Sequence, residues 1–252
     1  MRVSIVTLFP ELFERFLALS LVGRSVEIGA VVPELVQLRD FGLGKHRSVD
    51  DTPYGGGSGM VLRVEPVVAA LEEVDARAEA AGAPPAHRVL LSPQGVPFRQ
   101  PMAHALAARP HVALLCGRYE GFDERVRNFV HEEISLGDFV MTGGEVAAMA
   151  IVEATCRLLG GVLGDEGSAI AESHADALGG GLEYAHYTRP LSFRGLEVPE
   201  VLTSGHHEKI AAWRSEQVKQ RTLARRPDLA GRLGQIVIDP KPEGDSPGGR
   251  RR

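Results

Sequence analysis

Three polar, glycine-bearing stretches each follow directly on an apolar run. "SPQG" (92–95) follows "RVLL", "GRYEG" (117–121) follows "HVALLC", and "GDFVMTGGE" (137–145) follows "EEISL". Glycine leaves backbone N–H and C=O groups open to close approach by a ligand. An adenine held by main-chain groups needs that kind of opening. Tyr119 can add an apolar wall to such a site, and Glu120 can bind a ribose hydroxyl or a cationic group. Taken alone, "GRYEG" is equally a turn carrying a solvated ion pair. Three such segments placed after strands favour the ligand-binding reading.

Other chemistries fail in detail. "GLGKHR" (42–47) offers Gly44-Lys45, but a phosphate-binding P-loop needs Gly at 39 and Ser or Thr at 46, where Arg39 and His46 stand. No GxGxxG follows a strand. "GGGSGM" (55–60) ends on Met60 and so cannot be a nucleophile elbow. Cys116 and Cys156 are too far apart for a CxxC pair, and His206 and His207 are adjacent rather than at helical spacing, so a zinc site lacks support. Hydride transfer, serine hydrolysis and zinc chemistry therefore have no motif to rest on.

The elements that must position the glycine turns alternate in type. Strands are predicted at 2–9, 34–41, 88–92, 111–116 and 132–137. Helices are predicted at 11–27, with Leu12, Phe16, Leu19 and Val22 or Gly23 on one face, and at 65–80, 99–108 and 145–159. Pro66 fits a first helical turn, where a missing N–H costs little. This alternation implies an α/β fold with a parallel sheet covered on both faces. Ligands in such sheets gather at the carboxyl ends of the strands, where the three glycine segments fall. The segment 203–236 reads as helical with Ser204 as its N-cap, and no internal repeat is evident.

Composition narrows the class. Of 252 residues 44% are hydrophobic and 24% charged, as in an ordinary globular protein. Residues 1–185 carry 15 basic against 25 acidic side chains, and residues 186–252 carry 13 against 8. A basic C-terminal portion on an acidic body points to a polyanionic partner, with a solvated helical surface and basic tail as the plain alternative. Two cysteines in apolar surroundings argue against a disulfide framework and for a reducing, cytoplasmic setting. The expected protein is soluble: no cleavable signal and no uncharged run of membrane-spanning length is present.

"LLSPQG", "CGRYEGFDERV", "SLGDFVMTGGE" and "HYTRP" occur in this order, with "PYGGGSGM" upstream and "VPEVLTSGHHEKIAAWR" downstream. Together they resemble the bacterial tRNA (guanine-N1)-methyltransferases over roughly residues 1–235. Each tetrapeptide is weak by itself, but six in order make chance implausible. The resemblance implies methylation of guanine N1 at the nucleotide immediately 3′ of the anticodon, with S-adenosylmethionine as methyl donor, in support of reading-frame maintenance. It implies a deep trefoil knot of the SPOUT class, a homodimer with active sites at the subunit interface, and tRNA as partner. It suggests Mg²⁺ as well, without a recognisable protein metal site. The implied domains are a knotted cofactor-binding domain (1–160), a flexible linker (161–185), a C-terminal helical tRNA-binding domain (186–236) and a basic, disordered tail (237–252).

Carried over by motif, the cofactor pocket comprises Leu91, Ser92, Pro93, Gln94 and Gly95, then Gly117, Tyr119, Glu120 and Gly121. It continues with Leu136, Gly137, Asp138, Phe139, Val140 and Met141, beside Gly143 and Gly144. Arg157 matches the family arginine assigned to guanine O6; by itself it is equally a helix-end cation. The family base is an aspartate in a motif reading roughly S-A-x-x-D-S. Here "SAIAES" (168–173) places Glu172 there, one methylene longer, with Asp176 as the fallback. Ser168, His186, Tyr187, Arg189, Arg214 and Lys219 are the tRNA-binding candidates. A proline-stopped turn and ordinary helix surface are the plain readings of the last five. The departure at Glu172 keeps two alternatives open: a knotted RNA methyltransferase with a different target atom, and a tRNA-binding relative with impaired catalysis.

Overall fold

The computed structural model describes residues 1–164 and 170–238, which divide into two compact units after Gly164. Ser168 and the tail from 239 onward lie outside the described residues. In chain order the first unit has strands β1 (Arg2–Thr7), β2 (Val32–Gln37), β3 (Asp50–Asp51), β4 (Val61–Leu62), β5 (His87–Pro97), β6 (His111–Cys116) and β7 (Glu132–Ser135). Its helices are α1 (Glu11–Ala18), α2 (Ser20–Glu27), α3 (Val64–Ala80), α4 (Gln100–Ala107) and α5 (Glu145–Cys156). Five strands form one sheet in the order β2-β1-β6-β5-β7, parallel throughout, and β3 and β4 form a separate antiparallel ribbon.

Side chains alternate across a strand, and both faces of this sheet are covered. Val3, Ile5, Val89, Leu91, Leu114 and Cys116 pack on one face, in a cluster that includes Phe13, Val22, Leu106 and Ile151. Val6, Leu90, Ala113 and Leu115 pack on the other, with Val67, Leu71 and Val74 of α3. Burial on both sides explains why "HVALLC" reads as an unbroken apolar run, and all six of its residues are buried.

Several boundaries differ from the sequence reading; the strands expected over 2–9 and 132–137 end at Thr7 and Ser135, and the helix expected over 145–159 ends at Cys156. The helix expected over 11–27 is two helices, because Leu19 is extended and Ser20 takes a left-handed φ of 57°. The break restarts the helix with a new face, so Leu12 and Leu19 are 48% and 58% exposed while Phe13 and Val22 are buried. The strand expected over 34–41 stops at Gln37, whose side chain accepts a hydrogen bond from the Arg39 N–H and caps a 3-10 turn over Leu38–Phe41. The "SPQG" segment is not the end of its strand. Leu91 and Val96 both pair with Ile134, so residues 92–95 loop out as a bulge and β5 resumes beyond it.

The second unit has a short hairpin, β8 (Ser192–Phe193) and β9 (Leu196–Glu197), then α6 (Glu200–Thr203) and α7 (His207–Arg225). Ser204 is not the N-cap of the long helix. It ends α6, donating to the Val201 carbonyl at 2.8 Å, and His206 holds the N-cap position of α7. Residues 174–184 fold against α7. Leu178 is fully buried with Tyr184 and Val218, and the Leu182 N–H donates to the Thr222 hydroxyl at 2.8 Å.

Cys116 and Cys156 are both buried free thiols. Burial pushes the Cys116 thiol well up, with the nearby Glu145 charge adding to it, and pushes Cys156 up to about 11. Thiolate is the reactive form. A disulfide reagent at pH 8 is therefore expected to find no rapidly reacting thiol in the native protein and two after denaturation. Fast native reaction would contradict the burial.

Candidate cofactor cleft

Beside the bulge of β5 and at the carboxyl ends of β6 and β7 lies an open cleft of about 180 Å³. All three glycine-bearing segments converge on it. Leu91, Ser92 and Pro93 form one wall; Gly117, Tyr119, Glu120 and Gly121 form a second; Leu136, Gly137, Phe139, Val140 and Met141, with Gly143 and Gly144, form the rest. Gln94, Gly95 and Asp138 lie outside the lining. The Gln94 amide oxygen accepts from Arg127 at 2.9 Å, away from the cleft. Gly95 abuts β7, where an added Cβ would stand 2.5 Å from the Ile134 nitrogen.

The glycines serve two purposes. Gly121 has φ +120° and nothing within 4 Å of a Cβ placed on it, so a side chain there would project into open space beside the cleft. Gly117 and Gly144 answer a packing demand within the protein instead. A Cβ on Gly117 would lie 2.7 Å from the Phe122 ring, and one on Gly144 would lie 2.9 Å from both Cys116 Cα and the Gly117 nitrogen. The Gly144 N–H donates to the Gly117 carbonyl at 2.9 Å, which fastens the 137–145 segment to the end of β6. Gly144→Ala is expected to force these backbones apart. It should cost about 1–3 kcal/mol, the usual range for overpacking, and weaken ligand binding at the cleft. Thermal melting and ligand titration on the same sample check both.

"GRYEG" is held on both sides. The Glu120 N–H donates to the Met60 carbonyl at 2.9 Å, and the Leu62 N–H donates to the Gly121 carbonyl at 2.9 Å, so the β4 region braces one flank. Tyr119 is left-handed, with φ 59°, and half exposed at the rim. Phe139 and Val140 are also exposed there, Val140 to 84%. Such an apolar rim suits a flat, stacking ligand or a covering surface.

Two residues central to this geometry escape a motif search. Glu145, at the N-terminus of α5, is 2% exposed; its Oε1 accepts from Thr7 at 2.9 Å and from Arg118 Nε at 3.2 Å. Its Oε2 lies 2.9 Å from Arg118 Nη2. The Arg118 guanidinium lines the cleft, lies 4.5 Å from the Phe9 ring centroid and donates to the Thr142 carbonyl at 3.4 Å. One ion pair thus joins the end of β1, the 117–121 loop and the 137–145 segment. An acid in the first turn of an apolar helix, after two glycines, was the only local signal for it.

The other candidates are distributed over both units. Arg157 caps the C-terminus of α5 and is half-buried. Glu172 and Asp176 belong to the second unit, where the Ala175 N–H donates to the Glu172 carbonyl at 3.0 Å. There the His186 imidazole lies 2.7 Å from a Glu183 oxygen, and the Tyr187 ring centroid lies 6.4 Å from that of Trp213. Arg214 lies over the Tyr184 ring at 4.6 Å, and Arg189 and Lys219 are exposed. Among the described residues no group of three His, Cys, Asp or Glu side chains converges to hold a metal ion, and no helix is long and apolar enough to cross a membrane.

Comparison with known proteins bears on this cleft. The family model described as tRNA (Guanine-1)-methyltransferase TrmD matches residues 1–232. A protein of Sorangium cellulosum named tRNA (guanine-N(1)-)-methyltransferase is 61% identical over 245 residues, covering 91% of this chain and 93% of its own length. A namesake from Thermus thermophilus is 51% identical over 239 residues, covering 95% of each chain. Another from Moorella thermoacetica is 52% identical over 234 residues, covering 92% and 91%.

Proposed function

The chain belongs to the tRNA (guanine-1)-methyltransferase family, and from that membership we propose that it methylates N1 of the guanine immediately 3′ of the anticodon in tRNA. The observation that carries the reading is the convergence of three glycine-bearing segments on one cleft in a chain that this family matches almost end to end. We read these segments as the loops of a trefoil knot, and the exposed rim of Tyr119, Phe139 and Val140 as a surface covered in a homodimer with active sites at its interface. The 170–238 region then serves as the tRNA-gripping domain, with His186, Tyr187, Arg189, Arg214 and Lys219 among its contacts. Reading-frame maintenance is the cellular consequence.

The cleft suits S-adenosylmethionine in its combination of apolar walls with open backbone and the Glu120 carboxylate. When bound, this donor supplies a methyl group on a sulfonium sulfur that leaves with the bonding electron pair. The residues that would hold it are Leu91 to Pro93, Gly117 to Gly121, Leu136, Gly137 and Phe139 to Met141. The described residues build no Mg²⁺ cage, and no step is assigned to that ion.

Guanine N1 carries a proton at neutral pH and becomes a competent nucleophile as that proton leaves. Glu172 takes the proton as the N1 electron pair forms the new bond to carbon, ending as the neutral acid. Negative charge that builds on O6 meets the Arg157 guanidinium. Binding both partners in line supplies the remaining advantage.

The test is transfer of labelled methyl from S-adenosylmethionine to two unmodified tRNA transcripts, identical except for guanosine or adenosine immediately 3′ of the anticodon. Label on the first alone, mapped to guanine N1, is expected. Label on both would establish another target. Binding of both partners without label would favour the impaired tRNA-binding relative, for which the glutamate at 172 is the one specific observation.

A further inference from the structure

The bulge in β5 places Ser92 and Pro93 in the cleft wall, yet a bulge lacks the ladder hydrogen bonds that would fix it. What fixes it here is a guanidinium outside the cleft. Arg127, in the 3-10 turn Glu124–Phe129, donates from Nε to Glu133 Oε2 at 2.9 Å and from Nη2 to Glu133 Oε1 at 3.0 Å. This two-pronged pairing fixes direction as well as distance. The same Nη2 donates to Gln94 Oε1 at 2.9 Å. Glu133 Oε1 also accepts from the Ser92 hydroxyl, and that hydroxyl accepts from the Gln94 N–H at 3.0 Å. Burial alone would push the Glu133 carboxyl up; the bonds from Arg127 and Ser92 outweigh it and hold the group below the usual carboxylate range, ionised at neutral pH. Ser92 and Gln94 of the bulge are thereby tied to β7, Gln94 through Arg127, 33 positions away in sequence.

We propose that Arg127 is a positioning residue for the cofactor wall, holding Ser92 and Pro93 in their binding geometry through Glu133 and Gln94. It does not line the cleft and is assigned no contact with ligand. The proposal rests on reading the cleft as the S-adenosylmethionine site. It predicts an effect on binding of that donor and on nothing else in the reaction, because neither Glu172 nor Arg157 belongs to the network.

The experiment compares the full-length wild type with Arg127→Gln, Arg127→Lys and Gln94→Ala. Its readouts are calorimetric titration with S-adenosylmethionine and steady-state methylation of unmodified tRNA. For Arg127→Gln the dissociation constant and the KM for S-adenosylmethionine are expected to rise about tenfold, the scale of one charge-assisted hydrogen bond. At saturation kcat should stay within about threefold, and the KM for tRNA should not move. Lysine keeps the charge but loses the fork, so it should recover part of the affinity. Gln94→Ala leaves the Arg127–Glu133 pair intact and should raise the dissociation constant about threefold, which keeps the test decisive if Arg127→Gln folds poorly. Wild-type affinity in both Arg127→Gln and Gln94→Ala would overturn the positioning proposal alone, whatever the melting temperatures. So would a fall in kcat at unchanged KM. Failure of the wild type to bind S-adenosylmethionine would instead overturn the functional reading, and this proposal with it.

Discussion

Glu172→Gln is expected to lower the rate of methyl transfer at saturating substrates by about 10²- to 10⁴-fold, with S-adenosylmethionine and tRNA bound as in the wild type. That range is what a positioned general base contributes. The amide matches the carboxylate in size and leaves the backbone bond from the Ala175 N–H to the Glu172 carbonyl in place. What is lost is the acceptor for the guanine N1 proton. A single-turnover assay isolates that step from product release. Glu172→Asp restores the carboxylate at shorter reach and should run at least about tenfold faster than the glutamine variant, the cost of misplacement being smaller than that of losing the base. Wild-type rates in Glu172→Gln would remove this residue as the base and shift attention to Asp176.

How far the sequence reaches can be judged from particular elements. β6 is legible to the residue because all six of its side chains are buried, and the apolar run leaves no other reading. The convergence of the 117–121 and 137–145 segments is legible for a topological reason, since in a parallel sheet the carboxyl ends of the strands share one edge; residues 92–95 reach the same cleft through a bulge inside β5 that the sequence does not announce. The break between α1 and α2 is not legible, because Leu19 and Ser20 are ordinary helix residues, yet Ser20 takes a left-handed φ. The glycines at 117 and 144 read correctly as special and for a different reason. The Cβ position of Gly117 is taken by the Phe122 ring, and that of Gly144 by the Cys116 and Gly117 backbone, a contact that a spacing of 27 residues conceals. The buried Leu178 is hidden the same way, since nothing in a Gly- and Ala-rich stretch announces a docking partner on α7.

Arg118→Met, the second large effect, is expected to destabilise the first unit by about 3 kcal/mol, because it strands a buried carboxylate. Breaking a buried pair typically costs about 3–5 kcal/mol, the low end applying where one partner reaches water. Here the Glu145 side chain is 2% exposed and that of Arg118 23% exposed, so the cost depends on which partner is removed. Without Arg118, Glu145 keeps the Thr7 hydroxyl as its one side-chain donor among the described residues. Without Glu145, the Arg118 guanidinium can still turn to solvent and to the Thr142 carbonyl and the Phe9 ring. Glu145→Gln should therefore cost less than Arg118→Met. For a unit of this size about 3 kcal/mol lowers the melting temperature by roughly 6–12 °C. Combining Arg118→Met with Glu145→Leu removes the stranded charge and should recover much of that loss, since an apolar pair can replace a buried ion pair at little cost. Recovery of stability without recovery of methyl transfer would separate the two contributions of Arg118: the fold needs its charge neutralised, and the cleft needs its guanidinium in place. Equal melting temperatures for the two single variants would contradict the asymmetry in burial from which the prediction comes.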